Sequence, residues 1–162
     1  MQANVVLAES GVINALRSAT RSQHAQLAAS EPMRRLFDAA YTVAEYRAHL
    51  GRLLGLFEPL ERAAAQASDP SVPVLGLHRA SALRADLVHL GAATSEIESL
   101  ERCGHLPRLE LAGLRGYTYV MLGSMLEANG QNDVQAICAT AVGIFDAYAA
   151  WLATPLPYFA PR

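Results

Sequence analysis

The stretch LRSATRSQHAQL, residues 16–27, places one histidine among apolar and basic residues on a predicted helix. At about 3.6 residues per turn, Arg17, Arg21 and His24 fall within about one quadrant of that helix, and leucines flank them. This spacing predicts a buried imidazole beside two cations.

Two interpretations of His24 follow from this pattern alone. The first is a core histidine that hydrogen-bonds a neighbouring carbonyl, which is how most internal histidines are used. The second is an axial ligand to a haem iron, with the arginines facing the acidic edge of the cofactor. Spacing by itself favours the first.

Length and composition predict one domain over residues 1–162, with flexible ends at 1–9 and 155–162, because 52% hydrophobic residues are ample for one core. The 13 basic and 15 acidic residues give a net charge of −2, so no overall field attracts nucleic acid or an anionic membrane. The two cysteines lack CxxC spacing, and no signal peptide or run of about 18 apolar residues is visible. We therefore expect a cytoplasmic protein with no membrane segment.

Alanine and leucine dominate the chain, and apolar residues recur at intervals of three and four, which predicts an all-α single-domain helical bundle. Thr42 and Glu45 have the spacing of a capping box and should begin a helix. The predicted helices are residues 10–29, a short piece opening at Glu31 and Pro32, residues 42–67, 78–91 and 107–129, and a last helix capped by Asn132, with one helical turn at 97–102 in a connection over 92–106.

Two helix faces carry further predictions. In the helix from Thr42, the periodicity places Arg47, His49 and Arg52 on the outer side. In the helix over 107–129, a stripe of small residues and one carboxylate predicts either a shallow groove or close packing against another helix, with packing favoured. The stripe is Gly116, Val120, Gly123 and Glu127.

Common catalytic motifs are not found in the sequence. It contains no glycine-rich phosphate loop, no GxSxG, no HExxH and no carboxylate-rich di-iron motif. The residues alone therefore indicate a helical bundle with one internal histidine and go no further.

The same stretch resembles the N-terminal signature of the haem oxygenases, a helix of the form L-[RK]-x-A-T-x-x-x-H. Further segments are similar to the bacterial, biliverdin-producing branch and occur in the family's order. They are EYRAHLGRLLGLFEPLE (45–61), SALRADLVHLG (81–91), GYTYVMLGSMLEANG (116–130) and FDAYAAWL (145–152).

The resemblance implies a haem-oxygenase-like bundle in which His24 binds the haem iron. Arg17 and Arg21 would pair with the haem propionates, and Tyr119 would contact the cofactor. In this family haem is both cofactor and substrate, and its ring is opened to biliverdin with release of CO and ferrous iron. An electron donor such as a ferredoxin or a reductase is the implied partner.

On the distal side, the resemblance assigns Gly123 and Ser124 to the helix that crosses the other face of haem. The family pattern GSxLGG ends differently here, with Glu127 and Ala128 replacing the second glycine pair. Glu127 would either order water near the oxygen site or obstruct it. The alternative function is therefore a non-catalytic haem-binding, sensing or scaffold protein.

The chain is also shorter than the family pattern, since the last helix follows Gly130 almost at once. A shortened bundle of this kind would expose apolar surface around Phe145, Tyr148 and Trp151, which predicts a homodimer.

Overall fold

The computed structural model describes residues 2–67, 79–122, 133–157 and 159, and within these ranges the side chains from residue 11 onward except that of Leu122. Within these ranges the chain is helical and has no strand, which confirms the predicted all-α class. The elements are α1 (Gln2–Ala29), α2 (Glu31–Arg35), α3 (Val43–Ala67), α4 (Arg79–His89), α5 (Thr94–Ser99), a 3₁₀ turn (Leu111–Gly113), α6 (Leu114–Leu122) and α7 (Val134–Leu152).

Helix α1 begins at Gln2, earlier than the predicted start at Ser10. Its buried side chains Leu16, Thr20 and Leu27 recur at intervals of four and seven, as one face of a helix requires. The Thr20 hydroxyl donates to the Leu16 carbonyl at 2.8 Å, so this polar group is satisfied inside the core. α1 therefore presents a narrow inner face.

The predicted capping box at the start of α3 is confirmed. The Thr42 hydroxyl accepts from the Glu45 amide at 3.2 Å, and the Glu45 carboxylate accepts from the Thr42 amide at 2.8 Å. Hydrogen bonds from the Thr42 hydroxyl and amide, together with Arg35, lower the pKa of Glu45 to about 2. The carboxylate thus stays ionised, and it joins the end of α2 to the start of α3.

Helix α3 continues through Pro59 because another part of the chain replaces the missing hydrogen bond. Proline has no amide to donate to the carbonyl of Gly55 four residues earlier. The Cys103 amide donates to that oxygen instead, at 2.9 Å. A Cβ at residue 55 would lie 2.6 Å from the Glu101 carbonyl oxygen, so glycine is required for this approach. The connection after α5 is thereby attached to α3.

Glu58 on α3 holds the neighbouring elements by ion pairs. Its carboxylate meets the Arg84 guanidinium of α4 at 2.5 Å and also pairs with Arg102 after α5.

Gly91 follows the end of α4 and has a φ of +85°, which is the left-handed conformation typical of a glycine after a helix C-terminus. α5 spans Thr94–Ser99, a few residues earlier than the predicted turn at 97–102.

The last two helices differ from prediction at their starts. The segment from Pro107 to Glu110 is not helical, and α6 begins only at Leu114 after the 3₁₀ turn. Asp133, rather than Asn132, caps α7, and its carboxylate accepts from the Ala136 amide at 3.0 Å. The predicted loop over residues 68–73 and the helix end at Asn129 and Gly130 lie outside the described residues.

Gly116 is a point of close approach between α6 and α7. A Cβ there would overlap the carbonyl oxygen of Ile137 and lie 3.0 Å from the Ala141 amide nitrogen. At Gly116 the predicted close packing against another helix is therefore confirmed, and the alternative prediction of a shallow groove is wrong. Gly123 and Glu127 lie outside the described residues.

Helix α7 contacts α1, α3 and α6. Phe145 is buried against Leu27 of α1, and Tyr148 and Trp151 are half-buried. The predicted exposed apolar surface around these residues is therefore wrong, because α1 and α3 cover them. The homodimer, which was inferred from that surface, stays a prediction.

One helix of the described residues has the length and composition of a membrane span. It is α7, with 19 residues and a mean hydropathy of 1.3. Core helices of soluble proteins pass the same test when they are mostly buried, whereas 22% of this stretch is buried here, and α7 packs against three other helices. The match is weak evidence for a membrane span.

Gly116→Ala should lower the free energy of unfolding by about 2 kcal/mol or more, because the added methyl group meets backbone that cannot rotate away. Gly11→Ala is the matched control, since a Cβ at that helical glycine has nothing within 4 Å. It should raise the free energy of unfolding by about 0.5–1 kcal/mol. Urea denaturation followed by circular dichroism measures both, and equal effects would contradict the close approach.

Candidate functional site

His24 lies at the edge of the inner face of α1. At about 100° per residue, its position is about 80° from that of Leu16, while Arg17 and Arg21 lie further outward, at about 100° and 140°. The three side chains share one side of α1, as predicted, next to the junction with α7. Helical geometry alone accounts for this grouping.

The His24 imidazole is exposed, so the predicted burial is wrong. Its ring meets Phe145 of α7 edge to face, with centroids 6.0 Å apart and an interplanar angle of 76°. Among the described residues, no side chain or carbonyl accepts from or donates to the imidazole. A core histidine held by a carbonyl is therefore not what the structure contains.

The charges beside His24 are also free to meet a ligand. Arg17 and Arg21 are exposed, and neither forms an ion pair within the described ranges of the chain. The side-chain oxygen of Gln23, next to His24 in the sequence, is buried and has no hydrogen-bond partner. Such an orphaned acceptor is unusual and costs stability unless something binds to it.

Tyr119 of α6 lies at the same place, which we call the junction and define by Arg17, Arg21, His24, Tyr119 and Phe145. It packs against the cluster around Leu16 and against the cluster around Leu27, which lie on either side of His24 along α1. The structure thus gathers Tyr119, Phe145 and His24 where three helices meet. The predicted distal residues, Gly123, Ser124 and Glu127, lie outside the described residues.

The structure buries His49, which sequence periodicity placed on the outer side of α3. The side chain is 4% exposed, and burial lowers the pKa of its imidazole. It lines a cavity of about 500 Å³ with Tyr41 and Leu152, between α2, α3 and the end of α7. The outward prediction failed because the end of α7, distant in sequence, covers this side of α3.

Metal binding through a cluster of side chains is not supported in the described part of the chain. No group of three or more histidine, cysteine, aspartate or glutamate residues there could hold an ion. His24 is a single donor, so a metal bound to it would need most of its ligands from a cofactor, as haem iron has from its porphyrin.

The fold and this junction define a class of protein: an all-α bundle that presents a histidine and two unpaired arginines on one side of its first helix. The heme oxygenase family model matches residues 10–154, and the chain belongs to that family. The matched range includes every residue of the junction. No curated protein and no solved structure matches the chain.

The residues present fit haem. The unpartnered imidazole of His24 offers a ring nitrogen to iron, and the guanidinium groups of Arg17 and Arg21 complement the charge of propionates. The family thus implies haem as the ligand, and the site has suitable chemistry for it.

His24→Ala should change the free energy of unfolding by less than about 0.5 kcal/mol, because the side chain is exposed and makes no hydrogen bond. Leu16→Ala, eight residues earlier on the same helix, is the control and should cost about 2–5 kcal/mol because Leu16 is fully buried. Denaturation with urea compares the two variants. A loss of more than about 1.5 kcal/mol for His24→Ala would indicate a structural histidine instead.

Proposed function

We propose that this protein binds haem through His24 and opens it oxidatively to biliverdin, CO and ferrous iron. Membership of the heme oxygenase family supports the reaction class. The single observation that carries the assignment of the ligand is the exposed imidazole on α1, unpartnered among the described residues and placed beside two unpaired arginines. A histidine in this position is available to a ligand at no cost to the core.

Each residue of the junction has a proposed task. The ring nitrogen of His24 binds iron, and Arg17 and Arg21 hold the propionates and so orient the macrocycle. Tyr119 and Phe145 supply apolar contact where α1, α6 and α7 meet. Haem, when bound, supplies the iron centre at which dioxygen is activated, and its ring is the substrate.

The remaining parts of the proposal come from the sequence. Gly123 and Ser124 would permit close approach on the distal side, and Glu127 would lie near them. Ring opening consumes electrons, so a ferredoxin or a reductase would have to supply them. The protein would act in the cytoplasm, where its net charge of −2 suits a protein without nucleic-acid partners.

Titration of the purified protein with hemin should give a saturable Soret band typical of histidine ligation. His24→Ala should abolish that spectrum while the protein remains folded. His89→Ala is the matched control, because His89 is also an exposed histidine but lies on α4. Its titration should equal that of the unchanged protein. An unchanged spectrum for His24→Ala would show that the ligand assignment is wrong.

Arg17→Gln and Arg21→Gln should each weaken hemin binding about 5-fold, the effect of removing one partly exposed ion pair worth about 1 kcal/mol. Arg62→Gln, an exposed arginine on α3, should leave the affinity unchanged. Equal hemin affinity in all three variants would show that Arg17 and Arg21 do not bind the haem propionates.

Addition of reductant in air tests the catalytic part of the proposal. The haem complex should convert to biliverdin, and a stable oxygenated complex without biliverdin would leave haem binding as the only function. Glu127→Gly then distinguishes the two roles of the carboxylate, because turnover rises if Glu127 obstructs the distal side and falls if it orders water.

A further inference from the structure

Arg52 is the most deeply buried charged side chain among the described residues. It lies on α3 and is 3% exposed, although sequence periodicity placed it outward. Arginine remains charged in proteins, so this position holds a cation within the fold.

No ion pair in the described part of the chain neutralises this cation. The Glu101 carboxylate lies near enough to act on the Arg52 guanidinium electrostatically, but it is not in direct contact with it. The Arg52 Nε is enclosed and has no hydrogen-bond partner among the described residues. Arg47, one and a half turns earlier, shows the usual arrangement, since its guanidinium meets the Glu96 carboxylate at 3.1 Å. Both buried arginines of α3 have an Nε without a hydrogen-bond partner among the described residues, and they differ in that only Arg47 forms an ion pair there.

The Arg52 side chain is nevertheless held in place. Its guanidinium carbon lies 4.6 Å from the centre of the Trp151 ring, and the Trp151 indole nitrogen donates to the Arg52 carbonyl at 2.8 Å. The absence of a side chain at Gly55 allows this, because a Cβ there would lie 2.8 Å from the Trp151 ring. An aromatic face offsets only part of the cost of burying a charge.

Arg52 and Trp151 line a cavity of about 410 Å³. Its walls come from α3, from the end of α5 with the residues that follow, and from the segment after α7. The other lining residues that matter for binding are Ser99, Leu100, Glu101 and Leu156. A deeply buried cation that forms no ion pair among the described residues thus faces a space large enough for a small molecule.

This cavity is separate from the haem junction. On α7, Phe145 and Leu152 face α1, whereas Trp151 faces α3. The helix therefore lies between His24 and Arg52, and the two sites can be tested independently.

We propose that this cavity binds a small organic monocarboxylate, whose two oxygens accept hydrogen bonds from the Arg52 guanidinium. The planar fork of arginine matches a carboxylate in two-point contact. The Glu101 carboxylate at the same cavity repels a singly charged anion less than one of higher charge, and Leu100 and Leu156 suit an apolar tail.

Butyrate is a suitable probe, and the protein carries its own reporter, because Trp151 is the only tryptophan of the sequence. Titration of the hemin-free protein with sodium butyrate at constant ionic strength should give a saturable change in Trp151 emission and a rise in Tm. Sodium chloride should give neither. No saturable change with butyrate would overturn the proposal, and saturation at lower concentration by inorganic phosphate would overturn the monocarboxylate assignment.

Arg52→Met should abolish the butyrate response and keep a Tm at least equal to that of the unchanged protein, because removing a buried charge that forms no ion pair among the described residues relieves a desolvation cost. Arg52→Lys retains the charge but not the two-point fork, and should weaken butyrate binding about 10-fold or more. Arg62→Gln on the exposed side of α3 is the control and should bind butyrate normally.

His24→Ala should bind butyrate as the unchanged protein does. A failed hemin titration would therefore leave the butyrate proposal standing, and a failed butyrate titration would leave the haem proposal standing. A butyrate response that survives in Arg52→Met would contradict the assignment to Arg52.

Discussion

The packing of α7 against three helices is the constraint on which the rest of the structure depends. At Gly116 the backbones of α6 and α7 approach so closely that no side chain fits between them. That approach sets the depth at which Phe145 and Leu152 meet α1, and on the opposite side it places Trp151 against α3. Because one helix serves all three contacts, a shift of α7 would disturb both candidate sites at once.

Each side of α7 has its own chemistry. Toward α1, an aromatic edge meets the exposed His24, and the arginines on the same side of α1 are unpaired among the described residues. Toward α3, an aromatic face meets a buried arginine whose Nε has no hydrogen-bond partner among the described residues. Polar groups without protein partners cost free energy unless a ligand satisfies them. Both sides therefore combine rigid aromatic support with unsatisfied polar groups, and this combination is typical of binding sites rather than of structural cores.

Local signals in the sequence predicted local structure well. The Thr42 capping box, the stop at Gly91 and the grouping of Arg17, Arg21 and His24 depend on residues within one or two turns, and the structure contains all three. Burial was predicted poorly where it depends on distant segments. Periodicity placed one charged side of α3 outward, the side with Arg47, His49 and Arg52. In the structure Phe159 covers Arg47, the end of α7 covers His49, and Trp151 covers Arg52. The prediction for His24 was wrong in the opposite direction: its imidazole was predicted to be buried, but no described element covers the ring. Periodicity identifies faces of a helix, whereas tertiary contacts decide which faces are covered.

The central claim is that His24 is the residue that binds haem iron, and chemical rescue tests it most directly. The His24→Ala variant is loaded with hemin, and imidazole is added while the Soret band and the ferrous iron–nitrogen stretching band are recorded. Because the imidazole of His24 is exposed, a free imidazole has access to its place once the side chain is removed. We expect both bands to be lost in the variant and to return with imidazole to the positions seen in the unchanged protein. Bands that persist in His24→Ala without imidazole would contradict it, since another residue would then be the ligand.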